Sequence, residues 1–590
     1  MKQNPPCAPA SFVDVLRLRA LDCGDAVAYS FLSGRSTNEN TITYAELHRR
    51  ARAIGAVLQD FAIAGERALL FYEPGLDYIA AFFGCLYGGL VAVPAYPPRL
   101  NRHSHRVQAI AADAQASVVL TTSAILSNSS FMRVANFPNV RWLATDTLAP
   151  ELSERWNDPK ATSQTIAFLQ YTSGSTGTPK GVVLTHGNLL HNSELIRNCF
   201  EHTANSRVVF WTPPYHDMGL IGGILQPLYV GIPVTLMSPM AFLQHPLRWL
   251  ETISRTRATT SGGPNFAYEL CVQSISATER QGLDLSSWDV AFCGAEMIRT
   301  ETLQRFATAF EPCGFRWQAF YPCYGLAEAT LIVSGGRKAA PPVLHKPHPS
   351  TPSGPEPMYL AGANPAKSIH VGCGHTLGEQ QIVVVNTESM KRCFDGETGE
   401  IWVSGLSVAQ GYWGLPDETK LKFEAYLSDT AEGPFLRTGD LGFLKDGELF
   451  VTGRLKDLII IAGRKHHPED IEMTAQRSDP ALQTGSSAAF SVEVDGEERL
   501  VLVHEMERRS RDALELARII AAVRRSIAEE HQIQVHEFVL VKPRSMPRTS
   551  SGKVQKHMCR AAYLSGSLAY WRNFEQQHAS SSVHCGFAAV

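Results

Sequence analysis

Tyr171-Thr172-Ser173-Gly174-Ser175-Thr176-Gly177-Thr178-Pro179-Lys180-Gly181 follows the apolar run 166–170. Three glycines and a succession of Ser and Thr hydroxyls leave many backbone N–H groups free to face an anion. The hydroxyls add donors and Lys180 adds positive charge, so the loop suits a polyphosphate. It is not a Walker A loop, because Pro179 rather than a glycine precedes Lys180 and no Ser or Thr follows it. The strand and the loop together read as a polyphosphate-binding element.

The surrounding chain reads as α/β. Short β-branched runs at 91–93, 118–121, 208–211, 234–237 and 290–293 alternate with helical patterns at 43–58 and 189–200. Such alternation predicts parallel sheets covered by helices. The 590 residues (64.8 kDa) amount to roughly three or four units of about 150 residues. Hydrophobic residues are 44% and charged residues 19%, which excludes disorder over most of the chain. A net charge of -3 argues against nucleic acid as the main ligand. The 12 cysteines are scattered, with no CxxC pair, so we expect reduced thiols in a cytoplasmic protein, with neither a zinc site nor a disulfide framework. Residues 1–20 show no apolar signal segment. The uncharged runs 78–98 and 218–247 are broken by glycines and prolines. They read as buried helix, turn and strand rather than as membrane spans.

Composition shifts at 335–367, where eight prolines exclude a helix or a central strand. Short strands follow, at 381–386 and 400–403, and predict a small β subdomain. A boundary falls at Gly453-Arg454-Leu455-Lys456-Asp457, and beyond it lies a smaller α/β unit. Its clearest helix is 511–530, with Leu516, Ile520, Val523 and Ile527 on one face and Arg511, Arg518 and Arg525 repeating every seventh residue.

Four more motifs extend the first. They are Tyr324-Gly325-Leu326-Ala327-Glu328, Thr438-Gly439-Asp440, the boundary motif at Gly453–Asp457, and Pro547-Arg548-Thr549-Ser550-Ser551-Gly552-Lys553. Together with the glycine loop they resemble, in order, the motifs of the acyl-adenylate-forming superfamily, which includes acyl-CoA synthetases, adenylation domains and luciferases. Ala327 stands where the family has Thr. Val93-Pro94-Ala95-Tyr96-Pro97-Pro98, Pro213-Pro214-Tyr215-His216-Asp217-Met218-Gly219-Leu220, Gly294-Ala295-Glu296 and Gly463-Arg464-Lys465-His466-His467-Pro468 resemble one branch, the fatty acyl-AMP ligases. The Pro-rich segment falls where that branch carries an insertion, which in the family hinders the domain rotation needed for thioester formation with CoA.

The resemblance implies an N-terminal adenylation domain over 1–454 built of helix-covered sheets plus a β subdomain, a hinge at 455–457, and a mobile C-terminal α/β lid over 458–590. It implies ATP and Mg²⁺ as cofactors, a fatty acid substrate and an acyl carrier protein in trans. It places Thr172, Ser173, Gly174, Ser175, Thr176, Gly177 and Lys180 at the phosphates. Tyr324 and Gly325, with Gly294, Ala295 and Glu296, belong at the adenine; Asp440 belongs at the ribose and Arg454 at the ribose or phosphate. Glu328 and Thr176 would hold the metal, and Lys553 would bridge the carboxylate and α-phosphate oxygens. His216 would lie near the substrate carboxylate, at the mouth of an acyl tunnel for which Ile221, Leu225, Leu228, Met240 and Phe266 are candidates. An aspartate is typical there in amino-acid-activating domains, so a histidine argues against an α-amino acid. Two other readings use the same residues: an acyl-CoA synthetase, and a catalytically silent nucleotide- or acyl-binding protein.

Overall fold

The computed structural model describes residues 9–33, 39–95, 104–128, 137, 140–172, 179–346, 369–461, 464–482, 486–494, 497–506, 513–549 and 552–570. The chain divides into two compact units. The first takes in Met1–Leu344, Val371–Thr438 and Gly442–Val451; the second takes in His345–His370, Gly439–Leu441 and Thr452–Val590.

Two large sheets build the first unit. One has six strands in the order Arg141–Ala144, Val118–Thr121, Arg67–Phe71, Val91–Ala95, Ile166–Thr172 and Lys180–Thr185. Its first five strands pair in parallel, and the last pair is antiparallel. The other has nine strands in the order His375–Thr376, Ile332–Gly335, Phe320–Gly325, Val290–Cys293, Thr260–Gly263, Val208–Phe210, Val234–Met237, Val27–Leu32 and Glu39–Thr43. Its middle is parallel and its two ends are antiparallel. Both sheets are therefore mixed, where the alternation of elements predicts parallel ones. The strand runs 118–121, 234–237 and 290–293 lie where the sequence puts them. Gln381–Val385, Gly399–Ser404, Leu436–Lys445 and Glu448–Arg454 make a four-stranded sheet, the β subdomain expected after residue 381.

Local chemistry explains the elements. Thr43 caps the helix Tyr44–Gln59 by accepting the Glu46 N–H at 3.2 Å. The first uncharged run is the buried helix Leu76–Gly88, closed by Gly89 in the left-handed conformation and followed by the fully buried strand Val91–Ala95. The second opens with a π-helical stretch, Met218–Leu225, before the helix Gln226–Val230 and the strand Val234–Met237. The π winding was not legible in the sequence. Gly219 is required by close approach, since a Cβ there would lie 1.9 Å from the Pro213 carbonyl oxygen. Among the described residues no helix is long and apolar enough to cross a membrane. The ten described cysteines are all free.

The second unit has a three-stranded sheet, Ser487–Val494, Glu497–Glu505 and Val535–Val541. The helices Pro468–Ser478, Ala513–His531 and Lys556–Leu564 accompany it. The long helix buries Leu516, Ile519, Val523 and Ile527. Ile519, not Ile520, is the deep member of that face; Ile520 is only partly buried. Arg518 is engaged with Asp479 at 2.8 Å and Arg511 lies outside the described residues, so the seven-residue repeat does not present a uniform row of unpaired charges. Lys556 is half-buried between Glu469 and Glu472, and these two carboxylates hold its ammonium above the ordinary lysine range against the cost of desolvation. Of the Pro-rich segment, Leu344–His345 and His370–Val371 form a two-stranded sheet; residues 347–368 lie outside the described residues.

Burial holds several histidines neutral. His186 and His202 are pushed down to about 4, and His504 to about 3, from 6.5. His186 Nδ1 accepts the Phe12 N–H at 3.2 Å, a bond that protonation would break. Between pH 6.5 and these folded values, the unfolded chain takes up protons that the folded chain refuses. Stability therefore falls as pH falls through this window, by up to about 1.4 kcal/mol per pH unit for each such group, and levels off above it. Urea midpoints measured across the acid range should show this slope, and His186→Gln should flatten it. A midpoint independent of pH in that window would contradict the account.

Candidate active site

Strands Ile166–Thr172 and Lys180–Thr185 pair in a register that sets Thr172 opposite Lys180. These two residues hold the ends of the glycine-rich loop. Ser173, Gly174, Ser175, Thr176 and Gly177 lie outside the described residues. Lys180 is half-buried, and its ammonium pairs with Glu418 and lies 5.4 Å from the Tyr412 ring centroid. The segment 410–413 is zipped onto the Lys180–Thr185 strand: Gln410 donates to Val183, Val183 donates to Gly411 and Trp413 donates to Gly181. Tyr412 then donates its phenol hydroxyl to Glu328 Oε1 at 2.8 Å. Burial and the Glu328 carboxylate both push that phenol up. Lys180 and Glu328, far apart in the unit's sequence, thus meet the same tyrosine, one at its ring and the other at its hydroxyl.

Glu328 sits in the short 3-10 turn Ala327–Ala329, after the strand Phe320–Gly325. Its Oε2 has no hydrogen-bond partner among the described residues. Gly325 allows the chain to turn back closely, since a Cβ would lie 1.7 Å from the Leu331 carbonyl oxygen. Thr330 is fully buried at φ 70°, an unusual conformation for a β-branched residue, and its hydroxyl donates to Ser407 O at 2.6 Å. The parallel neighbour strand Val290–Cys293 runs into Gly294-Ala295-Glu296. A Cβ on Gly294 would lie 2.7 Å from the Cys323 carbonyl oxygen, so this turn lies against the Tyr324 strand. Ala295 is left-handed at φ 67°, and Glu296 Oε1 accepts the Phe266 N–H at 2.7 Å. The structure therefore brings Gly294, Ala295 and Glu296 next to Tyr324 and Gly325.

His216 lies at the head of the π-helical stretch. Tyr78 donates to Pro214 O at 2.7 Å, and Gln170 Nε2 donates to Tyr215 O at 3.1 Å. Gln170 is two residues before Thr172, so this turn is tied to the same strand that launches the glycine loop. His216 Nδ1 lies 2.5 Å from Asp217 Oδ1, which also accepts the Met218 N–H at 2.6 Å. Ile221, Leu225 and Leu228 are buried beyond it. Met240 is 39% exposed and drops out as a lining residue, while Phe266 is half-buried against the Trp211 ring.

In the second unit, Asp440 is buried and accepts from Arg454 Nε at 3.0 Å. Lys553 lies in a tight hairpin: Thr549 N–H donates to Lys553 O at 2.7 Å, and Lys553 N–H donates to Thr549 Oγ1 at 3.0 Å. Gly552 is left-handed at φ 92°. Arg548 clamps the hairpin through Gly552 O at 3.0 Å, Ser486 Oγ at 2.6 Å and Glu505 Oε2 at 2.7 Å. His466 and His467, adjacent in sequence, join no metal-holding cluster among the described residues.

The family model described as AMP-binding enzyme matches residues 16–413. The chain belongs to the AMP-binding enzyme family. A second model, the AMP domain of Disco-interacting protein 2-like proteins, matches residues 456–573 of this ligase. The medium-chain-fatty-acid–[acyl-carrier-protein] ligase JamA of Moorena producens is 46% identical over 576 residues, covering 95% of this chain and 96% of its own. The long-chain-fatty-acid–AMP ligase FadD23 of Mycobacterium tuberculosis is 37% identical, covering 91% of this chain and 94% of its own. A solved fatty acyl-adenylate ligase of Legionella pneumophila, in complex with acyl adenylate and pyrophosphate, is 39% identical with a TM-score of 0.71, covering 95% of this chain and 97% of its own. The enzyme is a member of the fatty acyl-AMP ligase branch, with the acyl-adenylate-forming fold.

Sequence reasoning on this ligase missed Tyr412, Glu418 and Gln170. Nothing local marks them, because each acts through a partner far along the chain. Arg548 was inside a quoted motif but had no role until Glu505 appeared beside it. Glu505 is buried, so Arg548→Ala leaves its carboxylate, among the described residues, with the Met546 N–H alone. Because Arg548 is 32% exposed, the loss should be about 2–3 kcal/mol, below the usual range for breaking a buried pair. A lowered denaturant midpoint together with slower adenylation is the expected result. An unchanged midpoint would show that the hairpin does not depend on the clamp.

Proposed function

We propose that this ligase joins a medium- or long-chain fatty acid to AMP, using ATP and releasing pyrophosphate, and then passes the acyl group to the phosphopantetheine thiol of an acyl carrier protein in trans. The observation that carries the fatty acid reading is the His216–Asp217 pair. Asp217 Oδ1 is turned back toward His216 and the Met218 N–H, and His216 stands at the position where an amino-acid-activating domain would place an aspartate for the substrate ammonium. Beyond His216 the buried side chains are apolar. At about 0.8 kcal/mol per buried methylene, two further carbons add about tenfold in affinity until the tunnel ends. The carrier-protein reading draws on JamA and on a second relative so named, TtuA of Teredinibacter turnerae, which is 34% identical over 93% of this chain and 92% of its own.

The chemistry needs no general base. A fatty acid carboxylate has a pKa near about 4.3 and is ionised at neutral pH. Its oxygen forms a bond to the α-phosphorus, the bond to the bridging β-phosphate oxygen breaks, and pyrophosphate leaves. The obstacle is the approach of an anion to a polyanion, so catalysis consists of positioned cations and dipoles. Lys553 holds the carboxylate and α-phosphate oxygens; Thr172, Lys180 and the glycine loop hold the β- and γ-phosphates. Asp440 accepts the ribose hydroxyls, with Arg454 already beside it. Tyr324 lies against the adenine, with Gly294, Ala295 and Glu296 on the other side. The donor set fits Mg²⁺: Glu328 offers a hard carboxylate oxygen that has no hydrogen-bond partner among the described residues, and Thr176 adds a hydroxyl. When bound, the cation supplies charge neutralisation at the phosphates.

In the second half-reaction the thiol attacks the acyl carbonyl carbon and AMP leaves. The hinge at 455–457, centred on Lys456 in the 3-10 turn Leu455–Asp457, lets the lid, 458–590, turn away from the domain 1–454 to admit the thiol. By its resemblance to the family's insertion, the Pro-rich segment would hinder the rotation needed for thioester formation with CoA, which favours a carrier protein as the acceptor. We place the enzyme in the cytoplasm, a reading supported by the ten cysteines of the described residues, all of them free.

Pyrophosphate exchange into ATP should depend on dodecanoate and be absent with leucine. Lys553→Ala should slow it about 10²- to 10³-fold while ATP binding stays nearly unchanged. Exchange supported by leucine alone would overturn the substrate class. Nucleotide binding with no exchange at all would favour a catalytically silent protein.

A further inference from the structure

Tyr412 has no role in the reaction described so far, yet it stands between two groups that do. Its backbone is fixed from both sides. The segment 410–413 pairs with the strand Lys180–Thr185, and the Tyr412 N–H donates to Thr419 Oγ1 at 2.9 Å. Gly411 is left-handed at φ 127°, and a Cβ there would lie 2.3 Å from Thr419 Cγ2. Thr419 belongs to the helix Pro416–Phe423, which also carries Glu418, the partner of Lys180. The Tyr412 side chain is 9% exposed. It has little freedom, and both of its polar relations are toward the phosphate-handling side of the unit.

Those relations are distinct. The hydroxyl donates to Glu328 Oε1 at 2.8 Å. A carboxylate with one oxygen occupied by a rigid donor presents the other in a fixed direction. The ring faces the Lys180 ammonium at 5.4 Å, within the range of a cation–π attraction. Glu418 is the ion-pair partner of Lys180, and the ring adds a second contact that brings no opposing charge. Metal ligands are commonly oriented by groups that bond the oxygen not facing the metal, and loss of such a group typically costs about 10- to 100-fold in metal affinity or activity.

We propose that Tyr412 is a positioning residue for adenylation: its hydroxyl aims Glu328 at the divalent cation, and its ring seats the Lys180 ammonium at the polyphosphate. The inference rests on the assignment of Glu328 as a metal ligand, so the test contains a variant that examines that assignment separately.

ATP binding is measured by titration calorimetry on the full chain, once with Mg²⁺ and once with EDTA. The parent should bind ATP more tightly with Mg²⁺. Tyr412→Phe removes only the hydroxyl; ATP affinity in EDTA should stay within about twofold, while the gain from Mg²⁺ shrinks about 5- to 10-fold. In pyrophosphate exchange the half-saturating Mg²⁺ concentration should rise by a similar factor, with kcat at saturating Mg²⁺ changed by less than about threefold. Tyr412→Leu, which also removes the ring, should in addition weaken ATP in EDTA by about threefold, because Lys180 loses its seat. Glu328→Gln should abolish the gain from Mg²⁺. If Glu328→Gln loses the gain and Tyr412→Phe keeps it, the role of Tyr412 is overturned while the metal assignment stands. If Glu328→Gln keeps the gain, the metal assignment falls and the role of Tyr412 falls with it. Equal losses for Tyr412→Phe in EDTA and in Mg²⁺ would mark a general packing defect and overturn the proposal as well.

Discussion

The register that sets Thr172 opposite Lys180 governs the first unit's share of the site. It fixes both ends of the glycine-rich loop on two hydrogen-bonded strands, so the loop's span is set by a sheet rather than by its own residues. Other pieces then hang from the same strand pair. Gln170 ties down the turn that carries His216, and the Lys180–Thr185 strand receives the segment that carries Tyr412. Through Tyr412 the pair also reaches Glu328. Residues far apart in sequence take their places because a single antiparallel pair closes a sheet that is otherwise parallel.

The chemistry imposes a second constraint, which is electrostatic. In the proposed reaction a carboxylate must approach phosphates that repel it, so the cations assigned to them within each unit must keep charge available to a ligand. The protein uses partial partners. Lys180 faces an aromatic ring as well as a carboxylate, and Arg454 meets Asp440 while remaining 53% exposed. Lys556, by contrast, is shut between two glutamates and serves the fold of the second unit.

Much of this was legible in the sequence, for reasons that can be named. The turn at Gly294–Glu296 and the Lys553 hairpin include left-handed backbone positions that few residues favour, so they leave contiguous motifs, and the glycine loop is marked by its composition alone. The buried strands announce themselves through β-branched runs. Tyr412 leaves no such mark, because its contacts are with residues 84 and 232 positions away in sequence. The antiparallel ends of the nine-stranded sheet were also hidden, since element alternation carries no information about the direction in which an edge strand joins. The π winding at Met218–Leu225 depends on how Gly219 packs beneath the Pro213 carbonyl, which is a tertiary fact. Ile519 and Ile520 both fit an apolar face; packing against the sheet decided between them.

The central claim is that the enzyme makes an acyl-adenylate and delivers it to a carrier protein rather than to CoA. The most direct test is mass spectrometry of one reaction containing ATP, Mg²⁺, dodecanoate, a phosphopantetheinylated acyl carrier protein and CoA together. The account predicts dodecanoyl-AMP and an acylated carrier protein, with CoA left unmodified. Abundant dodecanoyl-CoA beside an unmodified carrier protein would contradict it, and would identify the enzyme as an acyl-CoA synthetase built on the same fold.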